Sequence, residues 1–412
     1  MPDEALKAGT AGVGAPGIDK GGIANGAMDW LGRVRALAPR IAAAAAEIEH
    51  EQRLPERLVA DLRAAGLFSL LIPRPFNGAE IDPPTFVAIL EAIAAIDAST
   101  AWCLGQNNVC ASVAAFLPAE AAREIFGGEP QAILAWGAGY GGKALAVEGG
   151  YRVSGKWSFT SGGHHATWLG AHCVVSEADG RERRGPDGKP VTRTMLFPAT
   201  ETCFQEIWHV IGLRGTGSDA YAIENLFVPE AHSLARDEPG ERRYSGPLYL
   251  YSSNSLYASG FAGVALGIAR AMLDALVALA KEKTSRGLSN PMRLSPVSQY
   301  EIAEAEARLR AARMYLMGTV SDVWQEVLRA DAITLEQRIA IRLAATHVIR
   351  EATKIADFAY SWAGATAIFE TSPFERRFRD IHAVAQQLQG RASNLETAGQ
   401  FLLGVEPDTT FV

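Results

Sequence analysis

The chain has 412 residues, 48% of them hydrophobic and 21% charged, which is the composition of an ordinary globular protein with a large core. A net charge of -7 without any Lys/Arg block excludes nucleic acid and anionic membrane surfaces as expected partners. Cys103, Cys110, Cys173 and Cys203 form no CxxC pair and no metal-like spacing with histidine. They are expected as buried reduced thiols of a cytoplasmic protein, with no metal.

Residues 1–27 are rich in Gly and Ala and lack the charged start and apolar stretch of a secretory signal, so they are read as a flexible tail. No apolar run approaches the roughly 18 residues that a bilayer span needs, so no membrane is expected. From Trp30, apolar residues recur at three- and four-residue steps through Ile41 and predict a helix to about Gln52, with Pro39 as a kink or a new start. Pro55 opens a second helix that Gly66 closes, and Pro83-Pro84 opens a third through Ile96. Two more are expected over 100–116 and 118–126, which makes 28–130 an N-terminal helical domain.

The pattern then changes. From Gln131 to Phe227, short runs rich in Val, Trp, Phe and Thr are punctuated by Gly and Pro, "CFQEIWHVIG" among them. Residues 131–235 are read as a middle β domain, a small barrel or sandwich. The remainder, 236–412, is helical again, with long amphipathic stretches over 252–283, 296–329, 334–363 and 379–403. Short connections between them predict an antiparallel four-helix bundle. The fold class is therefore mainly α with a central β domain.

Several motifs fail on context. "GAGYGG" (137–142) matches GxGxxG but leads into a strand-like run rather than a helix, so it is read as a hairpin turn. There is no GxxxxGK[ST], no HExxH and no GxSxG. The informative stretches are "GKWSFTSGGHHATW" and "GLRGTGSDAY". In the first, Thr160 and Ser161 offer short hydroxyls at a strand end, and Gly162-Gly163 lets backbone come close to a ligand. Trp157 and Trp168 are candidates to wall a flat ring or to fill a core. His164-His165 is read as a solvated pair, since adjacent strand residues face opposite sides.

These stretches, the helix–β–helix order, and "LPERLVADLRAAGLFSLLIPRPFNGAE", "EAIAAIDASTAW" and "PFERRFRDIHA" resemble the acyl-CoA dehydrogenase superfamily over nearly the whole chain. The resemblance is strongest to its two-component flavin-dependent monooxygenases, which hydroxylate aromatic compounds with reduced flavin from a separate reductase. It implies an acyl-CoA dehydrogenase-like fold, reduced FMN or FAD, O2, a small-molecule substrate, a reductase partner and a homotetramer. It further implies that Thr160 and Ser161 lie beside flavin N5 and C4=O, and that Trp157 and Trp208 flank the ring. Arg214, Thr216 and Ser218 would line the loop that turns the chain back, and Arg286 would hold the flavin phosphate.

The sequence also departs from this family. The two positions that supply a carboxylate base in acyl-CoA dehydrogenases fall near Gln387 and Tyr257, and neither is acidic. Without that base a thioester dehydrogenase loses about 10²–10⁴ in rate. The two histidines usual in the monooxygenases fall at Cys110 and Gln387, leaving Asn107, Cys110, Gln387 and Ser161 as the candidate catalytic groups. Substrates that need no phenolate are then favoured. The alternatives are a dehydrogenase or oxidase with tightly bound FAD, calling on a carboxylate such as Glu370 or Glu396, and a non-catalytic relative.

Overall fold

The computed structural model describes residues 29–284, 289–410 and 412; the expected tail and Arg286 lie outside the described residues. Helix α1 (Trp30–Glu51) starts where the Asp29 side chain accepts from the Gly32 amide, and Pro39 sits inside it without ending it. Helices α2 (Glu56–Ala64), α3 (Pro83–Ala94), α4 (Ala98–Ala111) and α5 (Ala119–Phe126) complete the first helical region. Both α3 and α4 are capped by aspartates, Asp82 and Asp97, that accept from the amide three residues on. Helix α4 is buried almost throughout, including Asn107, Asn108 and Cys110, and so forms the floor between the helical and β regions.

The β region is one sheet. Its strands are β1 (Leu134–Trp136), β2 (Gly142–Val147), β3 (Gly150–Trp157), β4 (Trp168–Ser176), β5 (Thr192–Pro198), β6 (Cys203–Gln205), β7 (Ala220–Pro229) and β8 (Ser233–Leu234). They run in the order β6-β7-β3-β2-β4-β5-β8, with β1 also paired to β4. Both β1 and β2 lie parallel to β4, at successive positions along it. The 137–142 stretch is therefore an interruption along one side of β4, where a hairpin turn was expected. Only Cys203–Gln205 of "CFQEIWHVIG" is strand; the rest leaves the sheet because its amides bond a side chain, Asp219.

The last region holds α6 (Ser253–Glu282), α7 (Pro296–Ala330), α8 (Leu335–Ala363), α9 (Glu375–Gln386) and α10 (Ser393–Leu402). The fourth expected helix is broken in two at Gln387, whose ψ of 168° is extended and whose side chain accepts from the Gln389 amide. Helix α6 is long and apolar enough to cross a membrane, against the expectation from sequence. Most of it is buried, packed on α3, α4 and α8, which accounts for its apolarity as core. Three cysteines are buried free thiols and Cys203 is exposed.

Candidate active site

The turn after β3 is built around a strained residue. Phe159 holds φ +61°, a region that costs a bulky residue energy, and the residue is 62% exposed. Behind it the chain turns inward. Thr160 is fully buried, its amide bonded to Asp219 O at 3.2 Å, while its Oγ1 has no hydrogen-bond partner. Ser161 Oγ takes the Trp102 indole N–H at 3.1 Å and meets Ser218 Oγ at 2.7 Å. Thr216 Oγ1 meets Ser218 Oγ at 2.7 Å and donates to Leu213 O at 2.8 Å. Three expected site residues, Ser161, Thr216 and Ser218, thus join in one hydroxyl cluster, with the unpartnered Thr160 next to it in the chain.

Asp219 organises this cluster. Its Oδ1 accepts from the Ile207 and Trp208 amides at 2.7 and 2.8 Å, and its Oδ2 lies 2.8 Å from His164 Nε2. Burial pushes this carboxyl up, but the bonds from His164 and the two amides outweigh it and hold it below the ordinary range. Trp208 is thereby fixed: its indole N–H donates to Leu213 O at 3.1 Å, and its ring meets Phe159 edge-on at 6.0 Å. Gly217, at φ +49°, admits the crossing, since a Cβ there would lie 2.7 Å from His164 Cδ2.

The histidines correct the reading of a solvated pair. His164 pairs with Asp219, and His165 is half-buried with Nε2 3.0 Å from Asn107 Oδ1. Burial, with the charges of His164 and Arg63, pushes His165 down to about 3, so it stays neutral. Both belong to the short helical turn Gly163–His165 rather than to a strand, which lets both face inward.

Other expected site residues are placed differently. Trp157 is 1% exposed in the centre of the sheet core, stacked on Tyr221 at 5.3 Å and donating to His172 O at 3.0 Å. It has no face left for a ring ligand. Asn107 is a structural bridge, its amide donating to Leu134 O at 2.9 Å while its oxygen meets His165. Arg214 turns toward α1, 3.6 Å from Glu49. Cys110 Sγ lies 3.5 Å from Tyr257 Oη, and burial pushes the thiol up to about 12. Gln387 ends α9 with its Nε2 buried and unpartnered.

Two residues missed in the sequence bind these parts together. Asp380 of α9, 2% exposed, accepts from the Leu213 amide at 2.7 Å and so ties the bundle to the hydroxyl cluster. Burial pushes Asp380 up to about 7, while the Leu213 amide and Arg376 pull the other way. The folded protein thus binds a proton there that the unfolded chain has already lost. This contribution is full below the unfolded value and disappears as pH rises through about 7. Relative to wild type, Asp380→Asn is expected to gain about 1–3 kcal/mol between pH 5 and 8, read by urea unfolding at each pH. A constant difference contradicts this. The other missed residue is Trp102, which stacks on Phe261 at 3.8 Å and 3°, and Phe261 in turn stacks on Tyr257 at 5.5 Å and 21°.

These residues fit a flavin. Thr160 Oγ1 and Gln387 Nε2 are buried polar atoms in want of partners, which is the need that the polar edge of an isoalloxazine ring meets. Phe159, Ile207 and Ile211, 62%, 48% and 69% exposed, present apolar surface beside Trp208.

Comparison with known proteins agrees. Residues 31–126 match the model of the acyl-CoA dehydrogenase N-terminal domain, and residues 259–389 that of the C-terminal domain. Indole-3-acetate monooxygenase of Pseudomonas putida is 29% identical over 88% of this chain and 90% of its own. The oxygenase component of an FADH2-dependent resorcinol hydroxylase from Rhizobium is 29% identical, over 92% of this chain and 94% of its own. The crystal structure of a 3-HSA hydroxylase from Rhodococcus superposes with a TM-score of 0.84 at 26% identity, covering 93% of this chain and 99% of that one. The chain belongs to the acyl-CoA dehydrogenase superfamily, and its relatives are two-component flavin-dependent monooxygenases.

Proposed function

We propose that this protein is the oxygenase of a two-component system, using reduced flavin and O2 to hydroxylate a small, mostly apolar aromatic substrate. What carries this reading is that neither position at which the resemblance places the base of a thioester dehydrogenase, Gln387 and Tyr257, holds a carboxylate. Gln387 cannot ionise, and burial pushes Tyr257 well above the ordinary tyrosine range. Glu370 and Glu396, on which the dehydrogenase alternative would call, are both exposed. The names of the Pseudomonas and Rhizobium relatives support the same reaction class.

Reduced flavin supplies the electrons with which one oxygen atom of O2 goes to substrate and the other to water. The chain's part is to bind and orient: Thr160 takes the N5 edge, Gln387 donates from the bundle side, and Trp208 holds the ring's rim. The buried α4–α6 surface keeps water out. The flavin is FMN or FAD, delivered by a separate reductase, and its phosphate is held by Arg286. The chain assembles as a cytoplasmic homotetramer through the bundle, a reading supported by the exposed Val297, Tyr300 and Met314 along α7.

Thr160→Val tests the assignment, because it removes an unpartnered hydroxyl at constant shape. The flavin-free protein should melt at the same temperature or higher. Its dissociation constant for reduced flavin, measured anaerobically, should rise about 5–30-fold. Unchanged flavin affinity sinks the assignment.

A further inference from the structure

The ring column Trp102–Phe261–Tyr257 begins at Ser161 and ends at Cys110. At that end Gln106 Nε2 lies 3.5 Å from both Cys110 Sγ and Trp136 O. Over the Trp136 ring, 5.6 Å from its centroid, lies the guanidinium of Arg236, in the segment that leads from β8 to α6. The Arg236 side chain is only 23% exposed. Its charge acts on Cys110, His172 and Tyr257, so it belongs to this end of the column.

Among the described residues, Arg236 donates no hydrogen bond. Asp237 Oδ2 lies 3.6 Å from its Nε, an ion pair beyond hydrogen-bond distance, while Asp237 Oδ1 accepts from the Ser253 amide and hydroxyl at 2.8 and 3.0 Å. Most of the Arg236 side chain is thus covered, while its planar fork has no protein acceptor within hydrogen-bond distance among the described residues. The three side chains that feel its charge are held neutral. Burial pushes the Cys110 thiol up to about 12 and Tyr257 well above its ordinary range, and pushes His172 well below its own. A carboxylate matches the fork in shape and charge, and the rings beside it favour an aromatic body.

We propose that Arg236 is a specificity-determining residue that takes the carboxylate of an aromatic acid, with the substrate ring against the Trp102–Phe261–Tyr257 column. This rests on the monooxygenase reading and narrows its substrate class.

The test uses two probe pairs that differ by a carboxylate: indole-3-acetate with 3-methylindole, and phenylacetate with toluene. Binding to the full chain is measured by anaerobic calorimetry, with and without reduced flavin. Wild type should favour the acid in at least one pair by about tenfold or more. Arg236→Met should lower acid affinity by about 10–100-fold and leave the neutral partner unchanged, and Arg236→Lys should recover part of the loss. Wild type without acid preference in either pair, acid binding included, overturns the proposal. So does Arg236→Met with unchanged acid affinity, or with equal losses for both partners. Failure to bind reduced flavin strikes the monooxygenase reading instead, because acid preference is still measured on the flavin-free protein.

Discussion

Trp157→Ala should cost about 3–5 kcal/mol of stability, because it empties the centre of the sheet core. The indole is packed from several sides. It stacks on Tyr221, its N–H is held by His172 O, and Gly142 comes so near that a Cβ there would lie 2.2 Å from Trp157 Cζ2. Gly155 makes the same close approach from β3. Such a site relaxes poorly around a cavity. Trp157→Phe, which keeps most of the volume, should destabilise far less and bind reduced flavin as wild type does. Thermal unfolding and anaerobic flavin titration on the two variants check this. Wild-type stability in Trp157→Phe combined with lost flavin binding would return Trp157 to the flavin pocket.

Asp219→Ala should be the most damaging change in the site itself. It strips the acceptor from the Ile207 and Trp208 amides and leaves His164 unpaired, at a cost of about 2–4 kcal/mol. The larger effect is on function. The Trp208 amide loses its acceptor while the indole keeps only its bond to Leu213 O, so the ring is held less firmly and reduced-flavin affinity should fall at least about tenfold. Asp219→Asn keeps an oxygen for both amides and should recover most of the stability. Full flavin affinity in Asp219→Ala would show that the hydroxyl cluster is positioned by other means.

Much of the fold was legible in the sequence because it rests on local signals. Proline starts and the three-and-four spacing mark α1, α2 and α3, and short Val-, Trp-, Phe- and Thr-rich runs punctuated by Gly and Pro mark the change to strands. The errors came where a single side chain overrides local pattern. Gln387 looks like helix interior but accepts from its own neighbour's amide and ends α9. The apolar run around Ile207 looks like strand, yet its amides are drawn to a carboxylate that follows about a dozen residues later.

The site was legible as a stretch but not as an arrangement. "FTSGG" and "RGTGS" do meet, through Ser161 and Ser218, as hydroxyl-rich turns can when two strand ends are neighbours. The side chains that hold them, Asp219 and Asp380, were in plain view within quoted motifs. Nothing in one sequence says that a carboxylate caps a distant amide, because that depends on tertiary proximity. Asn107 misled for the same reason: its amide is spent within the scaffold.

The most direct test of the central claim is rapid mixing. The purified protein is loaded anaerobically with reduced FMN, and separately with reduced FAD, then mixed with O2 while absorbance is recorded from the near-ultraviolet to the visible. A transient band that outlasts the one given by free reduced flavin is the expected result, although the resemblance implies that Cys110 and Gln387 stand where histidines are usual. Direct return to oxidised flavin without a transient, with that flavin tightly retained, would contradict the monooxygenase account and favour a dehydrogenase or oxidase.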